Sequence, residues 1–294
     1  MTTPSESDRA VAPAPEGPGD GRPQPPSHRT RNLLTALVLL VVLGNLLAVD
    51  IRWDRLPELP GRLLTTARLM FLPPDWSYAD RAVAGMLESI QIAWVGTLIG
   101  AAISLPLGFL AAHNVSGRAV FTVVRQILNA IRAIPELLWA LVFFIPMVGL
   151  GPFAGALALG VNSTGTLGKL TSEVVEGIDG GPIEAARAAG ASPAQLLRWG
   201  VLPQVLPEVV AFWLYRFEIN LRASAILGLV GAGGVGAVLA QTLQYRRWAL
   251  AGMTVSVVVV ATIIIDGLSA AARRRIIRGS QRGVQTDQAA EVSG

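Results

Sequence analysis

Long apolar runs alternate with short polar stretches along most of the chain. A helix needs roughly 20 residues to cross a hydrocarbon core about 30 Å thick, and several of these runs approach that length. The runs lie near residues 32–49, 83–112, 133–150, 152–170, 208–230 and 250–271. This pattern predicts an all-α fold, a polytopic membrane bundle of about six transmembrane helices.

The N-terminal residues 1–31 differ from the rest of the chain because they are rich in Pro, Gly, Ser and charge. Such a segment cannot bury enough apolar surface to offset the entropy of ordering, so we predict a disordered cytoplasmic tail. It is too long and too acidic to resemble a secretory signal. Residues 32–49 are therefore expected to be retained as the first transmembrane helix.

Residues 50–82 combine four prolines with Trp53 and Trp76, a composition typical of an external interfacial loop with aromatic anchors. The arginines of this loop oppose the tendency of basic residues to lie inside; they are Arg52, Arg55, Arg62, Arg68 and Arg81. The orientation therefore depends on the basic cluster after the last apolar run, formed by Arg273, Arg274, Arg275 and Arg278. It predicts a cytoplasmic tail over 274–294, with both chain ends in the cytoplasm.

Composition excludes several classes of protein. The hydrophobic share of residues, 52%, is higher than in a typical soluble domain, and the charged share, 15%, is lower. The absence of cysteine excludes thiol catalysis and disulfides, and with only two histidines no metal site, catalytic residue or cofactor is expected. Lys169 is the sole lysine, so the basic balance comes from arginine. In a membrane protein that excess marks cytoplasmic flanks, and no nucleic-acid partner is expected.

The polar loop 179–207, between the fourth and fifth predicted spans, contains residues that favour the starts and ends of helices. Pro182 suits a first helical position, and Gly190 suits the position just past a helix end. Ser192 and Gln195 then form a capping box that starts a second short helix. The loop is therefore predicted to be two short cytoplasmic helices joined by a turn.

Pro203 and Pro207 are expected to end that second helix before the fifth span begins. Alanine and glycine on the first helix would let the groove of a partner approach closely. From the residues alone, an interfacial connector without any partner explains the loop equally well.

The same loop resembles the EAA signature of permease subunits of ATP-binding-cassette importers. The matching residues are Glu184, Ala185, Ala186, Gly190, Leu202 and Pro203. The resemblance implies that these residues couple the permease to a separate ATP-hydrolysing subunit, and that this chain is not an enzyme. It also implies the type I, methionine-permease-like fold for a permease domain over 83–273.

Segments outside the loop are similar to phosphonate permeases in particular. They are 131–143, 215–236 and the stretch from Asp266 to the basic cluster. The similarity implies phosphonate as the cargo, a periplasmic or lipoprotein substrate-binding protein, a permease homodimer and a multi-pass location among the lipids of the bacterial plasma membrane. A permease for phosphate, phosphite or methionine, and an ion-driven secondary transporter, are the alternatives.

The fifth predicted span holds charged residues. Counted from Glu208 at 1.5 Å per residue, Arg216, Glu218 and Arg222 lie about 12, 15 and 21 Å deep. Charges at that depth cost about 2.5–3.5 kcal/mol each, so they must face protein or water and mark a pathway by default. Arginine forks suit an oxyanion.

Spacing within this span predicts two polar stripes. Glu218 and Arg222 are four residues apart and are expected to pair, whereas Arg216 and Asn220 form the second stripe. An ion pair that only stabilises helix packing would explain Glu218 and Arg222 as well as a role in the translocation path does. Glu136, directly after Pro135, is a further path candidate in a span whose prolines would allow bending between gate states.

Three other patterns are weaker. Residues 231–236 match G-x-G-x-x-G, but the acidic residue of a dinucleotide site is missing, so we predict a helix break or a close packing point. Gly168 and Lys169 lack the remaining residues of a P-loop, so no ATP hydrolysis is expected on this chain. His113 is expected to be a solvated interfacial residue rather than a ligand.

Overall fold

The computed structural model describes residues 28–49 and 53–293, with side chains for 29–49 and 53–276. These residues contain helices and turns but no strand. Most of the tail predicted over residues 1–31 lies outside the described residues, and a helix already begins at His28. Contacts divide the chain into two units after Pro60, and each unit is described separately.

The helices are α1 His28–Ala48, α2 Leu59–Phe71, α3 Ala79–Leu110, α4 Arg118–Ala133, α5 Glu136–Leu138, α6 Ile145–Val148, α7 Pro152–Glu176, α8 Gly181–Ala188, α9 Pro193–Gln195, α10 Leu202–Gly228, α11 Gly234–Gln244 and α12 Trp248–Ser293. Single π-helical segments join α5 to α6 over Trp139–Phe144 and α9 to α10 over Leu196–Val201. Short 3₁₀ turns occupy Trp53–Glu58 and Trp76–Tyr78.

Three described segments are long and apolar enough to cross a membrane, namely Arg29–Ala48, Trp76–Leu110 and Trp248–Ile276. A fourth results if α4 and the helical segment from Glu136 to Val148, bent by 82°, form one span. The two remaining predicted spans correspond to α7 and α10, with 25 and 27 residues. These two carry more polar residues, which a helix covered by protein tolerates better than one facing lipid.

The segment 50–82, predicted as an interfacial loop, is largely helical where it is described, because α2 occupies its centre. Trp53 and Trp76 are 58% and 74% exposed, as expected for aromatic anchors. Their position at the membrane interface stays a prediction.

Close contact between α3 and α7 forms the centre of the second unit. A Cβ atom on Gly96 would lie 2.7 Å from the Cβ of Leu159, and one on Gly108 would lie 2.5 Å from the Cβ of Thr171. Small residues let helix backbones approach closely. Because both pairs have the same sequence offset, α3 and α7 run in the same direction.

Helix α10 runs in the opposite direction to α3. On α10, Asn220 donates to Thr97 of α3 at 2.9 Å, and Ser224 donates to the carbonyl of Ser89 at 3.3 Å, so rising numbers on one helix meet falling numbers on the other. The start of α10, the end of α7 and the end of α3 therefore lie at the same end of the bundle. The loop 179–207 is at that end.

Candidate functional site

A hydrogen-bonded polar network joins α3, α7 and α10 inside the bundle. Arg216, 8% exposed, donates from Nε to the hydroxyl of Ser163 at 3.0 Å and from Nη2 to Oδ1 of Asn162. Asn220 is fully buried and donates to Oγ1 of Thr97 and to Oγ of Ser163, both at 2.9 Å. The predicted stripe of Arg216 and Asn220 therefore exists, and it faces α7.

This network reaches the break between α4 and α5. Asn162 donates from Nδ2 to the carbonyl of Ile134 at 3.2 Å. Ile134 is extended, with ψ of 117°, because the ring of Pro135 disfavours helical geometry in the residue before it. The carbonyl of Ile134 is thus available to a side chain of α7.

Glu136 is the first residue of α5 and follows Pro135 directly. It therefore lies beside the break at which the Ile134 carbonyl accepts from Asn162. The structure joins the predicted path residues Arg216 and Asn220 in one network and places Glu136 at the adjoining helix break.

The predicted pairing of Glu218 with Arg222 is wrong. Arg273 of α12 donates to Oε1 of Glu218 at 2.5 Å, and its guanidinium lies 5.8 Å from the ring centre of Tyr215. Arg222 donates to Oδ2 of Asp266 at 3.2 Å. Each side chain finds an opposite charge on the antiparallel helix α12, and these contacts replace the pairing within α10. Glu218 is buried, whereas Arg222 is half exposed.

The contact between Arg273 and Glu218 joins a side chain of the fifth predicted span to the basic cluster after the last apolar run. The predicted depths of these charges in the membrane stay a prediction. They are counted from Glu208, whereas α10 begins at Leu202.

The first half of the loop 179–207 forms as predicted. Pro182 lies in the first turn of α8, and Gly190 follows the helix end with a φ of +79°, a conformation that favours glycine. The amide of Gly190 donates to the carbonyl of Arg187 at 3.0 Å. Glu184 and Ala185 are exposed on α8, and Ala186 is partly buried.

The second half differs from the prediction at its end. The capping box of Ser192 and Gln195 forms, with the amide of Ser192 donating to Oε1 of Gln195 at 2.7 Å. Pro203 and Pro207 do not end the helix, which continues through a π-helical segment into α10. The wider turn, in which Leu202 donates to the carbonyl of Leu197, accommodates the missing N–H of Pro203.

Gln204 fastens the loop and was not singled out from the sequence. Its Oε1 accepts from the amide of Asp179 at 3.0 Å, and its Nε2 donates to the carbonyls of Asp179 at 3.2 Å and Gly200 at 2.7 Å. The side chain thus ties the start of α10 to Asp179, two residues before α8. No local pattern indicates this role, because the contact joins residues far apart in the sequence.

Glu176, at the end of α7 and outside the predicted span 152–170, holds three elements together. Its Oε1 accepts from Arg125 of α4 at 2.7 Å and from the amide of His113 at 2.9 Å. Burial raises the pKa of Glu176, but the His113 amide and the Arg125 charge together lower the pKa below its ordinary value. The side chain of His113 is 65% exposed, in line with the predicted solvated position.

Neither glycine pattern forms a nucleotide site. Residues 231–236 connect α10 to α11, so no strand precedes them, and Gly233 has a φ of +79° at the turn. A Cβ atom on Gly236 would overlap the carbonyl of Ala225, which confirms the predicted close packing. Lys169 lies within α7 and pairs with Glu173 at 3.0 Å.

The fold and the exposed loop define a helical membrane permease. Residues 104–278 match the family model described as binding-protein-dependent transport system inner membrane component. The chain belongs to this family, which confirms the resemblance predicted from the loop.

Two related permease proteins agree with this assignment. The chain is 38% identical over 204 residues to the phosphite transport system permease protein PtxC of Stutzerimonas stutzeri, covering 69% of this chain and 74% of that protein. It is 43% identical over 191 residues to the phosphate-import permease protein PhnE of Mycolicibacterium smegmatis, covering 65% and 36%.

Among solved structures, a chain of the MetNI methionine ABC transporter in an inward-facing conformation is similar, with a TM-score of 0.58 and 26% identity. The match covers 66% of this chain and 95% of that one. The predicted methionine-permease-like fold is confirmed.

Proposed function

We propose that this permease forms the translocation path for phosphonate, or for a closely related phosphorus oxyanion such as phosphite or phosphate, across the bacterial plasma membrane. The observation that carries the proposal is the buried guanidinium of Arg216, held by Ser163 and Asn162 beside the break between α4 and α5. A cation fixed among polar side chains inside a membrane bundle attracts an anion and marks a pathway.

The network suits passage better than tight binding. Two nitrogens of Arg216 already donate within the protein, so fewer of its N–H groups remain for an arriving oxyanion. An oxyanion held only by the remaining donors would bind weakly and be released. Release is as necessary as entry in a transport path.

The drive for transport comes from partner chains in this proposal. A periplasmic or lipoprotein binding protein delivers the oxyanion, and two copies of the permease enclose the path. ATPase subunits dock on α8, where Glu184 and Ala185 are exposed. The hydrogen bonds of Gln204 to Asp179 couple a movement of the loop to α10. The path then alternates between outward and inward access.

Methionine is the second candidate cargo, favoured by the structural similarity to the MetNI transporter. The greater identity to PtxC and PhnE and the buried arginine favour a phosphorus oxyanion. An ion-driven carrier would give the exposed α8 no role.

The test is uptake of radiolabelled phosphonate, together with ATP hydrolysis, in vesicles that contain the permease, its ATPase and its binding protein. The proposal expects uptake that requires ATP and that unlabelled phosphite or phosphate reduces. Uptake without the ATPase would overturn the importer proposal. Competition by methionine, with none by phosphite or phosphate, would overturn the cargo.

A further inference from the structure

Of the six polar residues of α4, all but Gln126 recur at intervals of three or four, which places these five on one face of the helix. They are Arg118, Thr122, Arg125, Asn129 and Arg132, and we call them the α4 polar face. The helix contains no acidic residue, so this face is cationic.

Burial divides α4 into three faces. Val124 and Leu128 are buried in contact with the rest of the bundle. Val123 and Ile127 are 58% and 49% exposed and form an apolar outer face. On the polar face, Thr122, Asn129 and Arg132 are exposed as well. The polar face is therefore not covered by the rest of the bundle.

The polar face lies alongside the inner half of α7. Arg125, in the middle of α4, contacts Glu176, and Ile134, just past the end of α4, accepts from Asn162. Between them, a Cβ atom on Gly168 would lie 2.8 Å from Leu128. The two helices are thus antiparallel over the second half of α4. Arg132, which is exposed at the level of the predicted span 152–170, cannot face hydrocarbon, so it must face water or protein.

The polar face also connects two parts of the site. Arg132 lies against α7, where a Cβ atom on Gly165 would be 2.8 Å from its Cγ. Asn162, one turn away on α7, holds Arg216. In the middle of α4, Arg125 meets Glu176, which ends α7 shortly before the loop 179–207.

Of the three arginines, only Arg125 has an ion-pair partner among the described side chains. Arg118 and Arg132 make no ion pair with any described residue. Their charges are therefore free to act on an anion, and the intervening side-chain amide of Asn129 supplies hydrogen-bond donors. The hydroxyl of Thr122 already donates to the carbonyl of Arg118 at 2.8 Å.

We propose that the α4 polar face is the wall of the inner half of the translocation route, and that it conducts the oxyanion from the Arg216 network to the end of the bundle that bears the loop. This inference rests on the proposed function. Arg118 and Arg132 are 14 positions apart, about 21 Å along the helix. The anion would pass a series of weak contacts rather than one strong site.

Cysteine labelling tests this route directly, because the chain contains no cysteine of its own. Thr122→Cys and Asn129→Cys probe the polar face, and Val123→Cys and Ile127→Cys are matched controls on the apolar face of the same helix. Each variant is assembled with its ATPase in inside-out vesicles and treated, without nucleotide, with a sulfonate-bearing or a trimethylammonium-bearing methanethiosulfonate. Neither reagent crosses the bilayer.

We expect both polar-face cysteines to react and the controls to remain unmodified. When each rate is divided by that reagent's rate with a small free thiol, the anionic reagent should be favoured over the cationic one by at least about tenfold, since a cationic cleft concentrates anions by that order. Adding Arg132→Gln should reduce this preference at Asn129→Cys several-fold.

Five results would overturn the route. Three of them are unreactive polar-face cysteines, equal labelling of both faces, and a preference for the cationic reagent on the same normalised scale. The fourth is oxidative cross-linking of Asn129→Cys between two copies, which would make this face a contact between subunits. The fifth is a reaction rate that depends on the anionic lipid content of the vesicles, which would assign the face to lipid headgroups. Labelling requires neither ATP nor cargo, so its failure is distinct from a failure of uptake.

Discussion

The Nε atom of Arg216 lies 3.0 Å from the hydroxyl oxygen of Ser163, and this contact fixes a buried cation of α10 against α7. Ser163 also accepts from Asn220, so one hydroxyl connects both members of the polar stripe. These hydrogen bonds fix the orientation of the guanidinium group, which would be free to rotate in an arginine without such contacts.

Arg216→Lys should lower oxyanion uptake by roughly tenfold or more, because a lysine keeps the charge but loses the two directed hydrogen bonds, each about 1.5–3 kcal/mol for a charged donor. The measurement is the initial rate of uptake in vesicles at matched permease content. Arg222→Lys is the control, since its pair with Asp266 is half exposed and contributes about 0–1 kcal/mol. Equal losses in both variants would contradict a special role for Arg216.

Glu218→Gln should destabilise the permease by about 2 kcal/mol, because Arg273 would be left without its charge partner. The measurement is thermal unfolding in detergent, extended to a double-mutant cycle with Arg273→Gln, which should show clear coupling. The cycle of Glu218→Gln with Arg222→Gln should show almost none. Strong coupling of Glu218 to Arg222, with little coupling to Arg273, would instead support the pairing that the sequence predicts.

Gly190→Val should uncouple ATP hydrolysis from uptake, because a β-branched residue at a φ of +79° costs on the order of 1–3 kcal/mol and would distort the end of α8. Gly190→Asn is the matched control, since asparagine tolerates this conformation. A Cβ atom at this position has open space around it, so strain and not collision distinguishes the two variants. The measurement is the amount of oxyanion taken up per ATP hydrolysed, and the same ratio in both variants would count against the role of the turn.

Gly96→Ala should lower the unfolding temperature, because its Cβ would lie 2.7 Å from the Cβ of Leu159 and force α3 away from α7. Overpacking of this kind costs about 1–3 kcal/mol. Gly267→Ala, inside α12 at a position with no atom within 4 Å of the added Cβ, should not lower the temperature. If both variants unfold at the same temperature, the close contact of the two helices contributes little.

Local signals in the sequence determined much of the loop. The fixed φ of Pro182, the freedom of Gly190 and the side chains of Ser192 and Gln195 act on their own turns, so their effects can be predicted without knowing the fold. The lengths of the apolar runs likewise predicted the helical bundle, because the thickness of a bilayer sets the length of a spanning helix.

Tertiary structure alone decided which charges meet. Glu218 has opposite charges within reach on its own helix and on α12, and only the packing of α12 selects Arg273. The same holds for Gln204, whose partner Asp179 comes close only when the loop folds. A sequence specifies neighbours along a helix through its fixed period, but contacts between helices depend on rotation and direction, which are set when the whole bundle packs.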